Sequence, residues 1–389
     1  MKKWICNLLL CITAVLFCCT VPVYALTDES TDASDEEAAV EQELMEASGA
    51  EELFDFLPEE TRDFLRQSGV DELSSDTILN LSGGDFLHMV GQGILVKLRE
   101  PLALLATLLG VMLLSSLLGA FEMSFDASGL NRAFQVVSVL CISAIIVTPV
   151  MQILQSTTEL IQQVGDFLLS FIPVFTGIIS VSGKPLSAFA YNATLVGVVE
   201  AVSFTAQNLL IPLSGVYLAL CLTGAVSDQI QIGGITRSIK KVVLWALGFL
   251  MTIFIAILTI KSFVANSADS VTLRAGKYLI GSFVPVVGGA VSDALTVLQG
   301  SFAVVRSTVG AFGILAILIC FLPGIVSILL MNAALKIAQI VSDMLNVKRV
   351  SGLLEATSFV LTLMQSILIC YGVMVLISIS LMLVLGLGL

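Results

Sequence analysis

The stretch from Ser270 to Leu298 limits most strongly what this chain can become. It is apolar enough to enter a bilayer, yet it carries Arg274, Lys277 and Asp293, a proline at 285 and paired glycines at 288 and 289. Pro285 has no N–H to give a helix, and the glycines loosen the chain just after it. Hydrocarbon offers no water to satisfy the freed peptide groups. Broken backbone at membrane depth therefore survives only inside protein or beside a water-filled cavity. The stretch predicts a broken, possible re-entrant element, Pro285 with Gly288 and Gly289 at its turn, with ordinary hydrophobic helices packed around it.

Such helices are abundant. Of 389 residues, 57% are hydrophobic and 12% charged, and the mean hydropathy is +1.01, which no single soluble core can bury. Apolar runs near 101–121, 133–155, 164–182, 186–206, 209–227, 242–264, 307–331 and 357–385 predict an all-α polytopic membrane bundle of about six to eight spans. The net charge of −12 belongs to one segment: 20 Asp and Glu lie between Asp28 and Glu100, whereas from Pro101 onward there are 10 acids against 12 Lys and Arg. No basic patch supports nucleic-acid binding.

The chain divides accordingly. Residues 1–25 read as a signal peptide: Lys2 and Lys3, an apolar run, then Val23-Tyr24-Ala25 before the cleavage point, with an uncleaved anchor as the runner-up. Residues 26–50 are an acidic, disordered segment. Residues 51–100 predict extracytoplasmic amphipathic helices, one starting at Pro58-Glu59-Glu60 and one over Asp85–Arg99, and 101–389 is the transmembrane domain. With the mature N-terminus outside, the inner loops hold Arg132, Lys184, Arg237, Lys240, Lys241, Lys336, Lys348 and Arg349, and the outer loops Lys261, Arg274, Lys277 and Arg306. That bias follows the positive-inside rule. Four cysteines leave with the signal; Cys141, Cys221, Cys320 and Cys370 stand singly in apolar runs, so no disulfide framework or Cys metal site is indicated.

An internal echo suggests an arrangement. Phe171-Ile-Pro-Val-Phe-Thr-Gly177 reads much like Phe283-Val-Pro-Val-Val-Gly-Gly289, and Pro212 answers Pro323 at nearly the same offset. Two parallel repeats, 133–227 and 242–331, would each be a span, a broken hairpin and a span, as in transporters built from discontinuous helices. Coincidence among Pro- and Gly-rich apolar segments is the alternative. Within this scheme Pro173, Gly177, Pro285, Gly288 and Gly289 mark the breaks, and Ser182 to Pro185 a hairpin tip.

Charged residues inside spans are functional candidates. Glu200, in V-G-V-V-E-A-V, either lines a polar pathway or holds a hairpin by pairing with a basic group. Arg274 and Lys277 share a helical face and meet lipid headgroups or an anionic solute; Asp293 partners one of them or caps the second arm. The single histidine, His88, has no companions for a metal, and there is no nucleotide-binding loop, H-E-x-x-H or Ser/His/Asp set. No catalytic, metal or cofactor site is expected, and an intramembrane aspartyl pair would rest on Glu200 and Asp293 alone. Two readings follow: a permease- or channel-like path, or a non-conducting scaffold that recruits other subunits.

The run T-L-R-A-G-K-Y-L-I-G-S-F-V-P-V-V-G-G-A-V-S-D-A, Thr272 to Ala294, closely resembles the corresponding stretch of the stage III sporulation protein AE family, as does the layout of signal peptide, outer segment with F-L-P-E at Phe56 to Glu59, and repeated spans. The resemblance implies a multi-pass component of the mother-cell membrane around the forespore. Its implied partners are the other stage III sporulation A-operon membrane proteins, a secretion-type ATPase on another chain and, indirectly, stage II sporulation protein Q. Together these form a secretion-like channel needed for forespore development. The family carries over no catalytic residues.

Overall fold

The computed structural model describes residues 45, 48–67, 97–122, 128–181, 185–226, 233–283, 288–345 and 347–387. The signal peptide, most of the acidic segment, the amphipathic stretch after Gln67, His88 and Pro285 lie outside the described residues. Every described element is helical. A 3₁₀ turn at Glu51–Phe54 leads to α1 (Glu59–Gln67), followed by α2 (Arg99–Glu122), α3 (Ser128–Val181) and α4 (Pro185–Thr205). A π turn at Ala206–Leu210 joins α4 to α5 (Ile211–Val226); then come α6 (Gly233–Phe283), α7 (Gly288–Met344) and α8 (Lys348–Leu387). By length and apolar composition these make six candidate spans.

Eight apolar runs become six spans because polarity does not break a helix. The runs 133–155 and 164–182 are one 54-residue helix, α3. Between them stand Gln155, Ser156, Thr157, Thr158, Glu159, Gln162 and Gln163, with neither Gly nor Pro, so hydrogen bonding continues where hydropathy falls. The runs 186–206 and 209–227 join in the same way through the π turn. Pro212 cannot donate to the carbonyl of Asn208, and the wider turn just before it takes up the mismatch.

The same cause corrects the loop assignments. Arg306 lies inside α7 and is 3% exposed, not in an outer loop. Lys261, Arg274 and Lys277 lie within α6, and Arg132, Arg237, Lys240, Lys241, Lys336, Lys348 and Arg349 within α3, α6, α7 or α8. The 270–298 stretch falls where a helix of 51 residues ends at Phe283 and one of 57 begins at Gly288, and Pro285 lies outside the described residues. Nor do the two Pro-Gly motifs hold equivalent places: Phe171–Gly177 is interior to α3, while its counterpart straddles the α6–α7 junction. The repeat has no structural counterpart at these positions.

Contacts fix the helix directions. Gly310 and Gly313 of α7 face Phe175 and Phe171 of α3, and Gly324 faces Leu160 of α3 and Leu368 of α8, so α7 runs antiparallel to both. Phe321 of α7 meets Tyr371 of α8 edge-on at 5.9 Å. Thr176 and Asn192 pair at 3.3 Å, making α3 and α4 an antiparallel hairpin. Lys240 of α6 sits over the Phe359 ring at 3.9 Å and Cys370 lies 3.9 Å from Met251, so α6 runs parallel to α8. On α2, Leu104, Leu108 and Met112, spaced one turn apart, form the buried stripe, and Ser138 of α3 donates to Ser115 at 2.7 Å.

The N-terminal segment packs on this bundle. Leu53, Leu57 and Leu65 are buried, Phe54 stacks on Phe312 at 6.3 Å, and Thr61 Oγ1 lies 3.2 Å from Cys320 Sγ. α1 starts after Pro58, where the sequence predicted it.

Candidate functional site

Along its middle, α3 has two unlike faces. Ile153, Leu154, Ile161, Val164, Phe167, Leu168 and Phe171 are buried, while Gln152, Gln155, Ser156, Glu159, Gln162, Gln163 and Asp166 are exposed. Seven residues are nearly two helical turns, so Gln152, Glu159, Asp166 and Pro173 lie within about 20° per step on one line. Pro173 and Gly177 are exposed too and prolong it. This polar line falls within Val136–Ser180, one of the six candidate spans by length and apolar composition.

α4 and α8 close on α3 near one end of the line. Gly165 lies where they meet: a β-carbon there would be in ordinary contact, 3.5 Å from Ser203 Oγ and 3.6 Å from Tyr371 Oη. Ser203 and Tyr371 share a hydrogen bond of 2.8 Å. The ring of Tyr371 is buried, so its hydroxyl needs that partner. Asp166 follows Gly165, and Glu200 precedes Ser203 by one turn; both carboxylates are exposed and act electrostatically on the Tyr371 hydroxyl. Glu159, Asp166 and Glu200 make no ion pair or side-chain hydrogen bond among the described residues. Between Arg132 and Arg237 the sequence contains one basic residue, Lys184, so the α3–α5 hairpin has almost no cation of its own to neutralise them.

The sequence-derived candidates therefore separate into two groups. Pro173, Gly177 and Glu200 are all exposed, the first two on α3 and the third on α4. Arg274 and Lys277 lie in α6 about six turns beyond Met251, whose side chain marks the level of Cys370. Gly288 and Gly289 open α7 and Asp293 is in its second turn; the side chains of 261–303 fall outside the description. Sequence reasoning missed Glu159, Asp166, Ser203 and Tyr371. The seven-residue spacing of Glu159, Asp166 and Pro173 was the available signal, hidden by treating 156–163 as a gap between spans. Among the described residues no group of His, Cys, Asp or Glu could hold a metal ion.

Comparison with known proteins agrees with the architecture. Stage III sporulation protein AE of Bacillus subtilis (strain 168) is 28% identical over 163 residues, 42% of this chain and 41% of that protein, so the alignment spans less than half of the relative's length. No solved structure matches. The family model described as stage III sporulation protein AE matches residues 68–386, which takes in α2 through nearly all of α8. With most of its length so matched, this chain belongs to the stage III sporulation protein AE family.

Proposed function

We propose that the chain is the polytopic, permease- or channel-like membrane component of the sporulation complex linking mother cell and forespore, and that the outward face of α3 and α4 is one wall of its aqueous path. The observation that carries this is the line from Gln152 to Asp166, with Glu200 beside it. A charged side chain at the centre of a spanning helix costs about 2.5–3.5 kcal/mol to insert, and three carboxylates with four glutamines on one side are poorly matched to lipid. Water in a lumen satisfies them.

In this reading residues 1–25 are removed as a signal, 26–50 remain an acidic outer segment, and the mature N-terminus is extracytoplasmic in the mother-cell membrane. The other A-operon membrane proteins complete the assembly, a separate ATPase supplies energy, and contact with stage II sporulation protein Q is indirect. The protein acts without catalysing a reaction.

The alternative is a non-conducting scaffold in which a partner's side chains cover the same face. Solute flux through liposomes containing the purified chain separates the two. A path predicts flux that Glu200→Gln or replacement of the 284–289 turn removes. Silence, with binding to the other subunits intact, would favour the scaffold.

A further inference from the structure

The clearest lipid-facing surface of the molecule lies on α6. From Val242 to Ile260 the helix has no charged residue, and these nineteen positions rise about 28 Å, close to the roughly 30 Å of a hydrocarbon core. Val242, Leu244, Trp245, Phe249, Ile253, Ile255 and Ile260 are exposed along it. Just before this stretch come Arg237, Lys240 and Lys241, all exposed. Steps of four residues keep Arg237, Lys241, Trp245, Phe249 and Ile253 close to one slowly turning stripe. Two cations are thus followed by two aromatic rings, stacked with centroids 5.0 Å apart and 10° between planes, and then by aliphatic surface.

This order is that of a phospholipid: anionic phosphate, interfacial region, acyl chain. Trp and Tyr favour the interface, and cations at the surface attract anionic lipid. Lys240, held over Phe359 at 3.9 Å, stands beside the stripe, its ring packed in turn on Tyr217 at 5.3 Å. Among the described residues, Glu355 stands one turn from Phe359 on α8. We infer that the Arg237–Ile253 stripe of α6 is a binding site for one anionic phospholipid. Its phosphate rests on Arg237 and Lys241, and one acyl chain lies along Trp245 and Phe249. The continuous apolar surface below the cations selects a lipid over a soluble anion or an acidic peptide, which would leave it uncovered.

The test uses the full chain purified in detergent. Phosphatidylglycerol, phosphatidylcholine with the same acyl chains, or inorganic phosphate is added, and retained lipid and the thermal midpoint are measured. Phosphatidylglycerol should be retained and raise the midpoint, whereas the other two should do neither. At about fivefold per cation, Arg237→Gln with Lys241→Gln should weaken retention about 25-fold, while Arg237→Lys with Lys241→Arg keeps it. Equal retention of phosphatidylcholine, an equal effect of phosphate alone, or full retention by the Gln variant would each overturn the assignment. Should the Gln variant not fold, salt titration of the unaltered chain decides: retention must fall as ionic strength rises.

Discussion

The α3–α4 and α7–α8 hairpins are built from similar apolar sequence but dispose of their polar groups in opposite directions. In α7 and α8 several of them point inward and are satisfied. Asn332, fully buried, donates to Thr362 Oγ1 at 3.0 Å and accepts from Ser358, while Ser342 and Val347 exchange hydrogen bonds of 3.1 and 3.0 Å across the connection. In α3 and α4 the carboxylates and glutamines point outward. Burial follows the same division: 44% and 61% of the spanning windows of α7 and α8 are buried, against 28% for each of the α3 and α4–α5 windows. A polar group buried with its partner fixes helix register; one left facing outward at membrane depth requires water or another chain. The α7–α8 hairpin is therefore the better enclosed of the two, and the α3–α4 hairpin carries the face that the proposed path would use.

Substituting both hairpins in parallel tests this contrast. The largest effect should come from Gly313→Leu, since even a β-carbon there would stand 2.5 Å from the Phe171 ring, with the bulk of Phe171 itself enclosed in the core. Overpacking of this kind should cost about 3 kcal/mol in reversible unfolding in detergent. Gly177→Leu, on the open side of α3 with nothing within 4 Å, should change stability little. Similar losses at both positions would show that α3 is as enclosed as α7. Next in size is Asn332→Ala, which strands the Ser358 and Thr362 hydroxyls between α7 and α8 and should cost about 1–2 kcal/mol. The smallest change in stability belongs to Glu159→Leu combined with Asp166→Leu: within about 0.5 kcal/mol of the parent, or higher, because neither carboxylate has a partner to lose among the described residues. That same pair should abolish solute flux, and a strong loss of stability instead would mark the face as structural.

Much of this was legible from the residues. Apolar runs announced the spans, Pro58 marked the start of α1, and Glu200 identified itself as a charge among valines. What misled was the equation of polarity with interruption. Glu159 and its glutamine neighbours lower the hydropathy of α3 without weakening its backbone, and Arg306 looks like a loop residue only until α7 is seen to run through it. The convergence on Tyr371 was not readable at all. It depends on Gly165 and Ser203 arriving at the same height from two other helices, a long-range coincidence that no local window contains.

The amino-acid order by itself determined that this chain belongs in a membrane, that it is helical, and which family it joins. Apolar content and helix propensity are summed over neighbours, and a distinctive run such as Thr272–Ala294 needs no partner to be recognised. Only the tertiary structure decided which polar residues are hidden and which are turned outward. An isolated helix has no inside: Asn332 and Glu159 differ in role because α8 covers the one, and no described element covers the other.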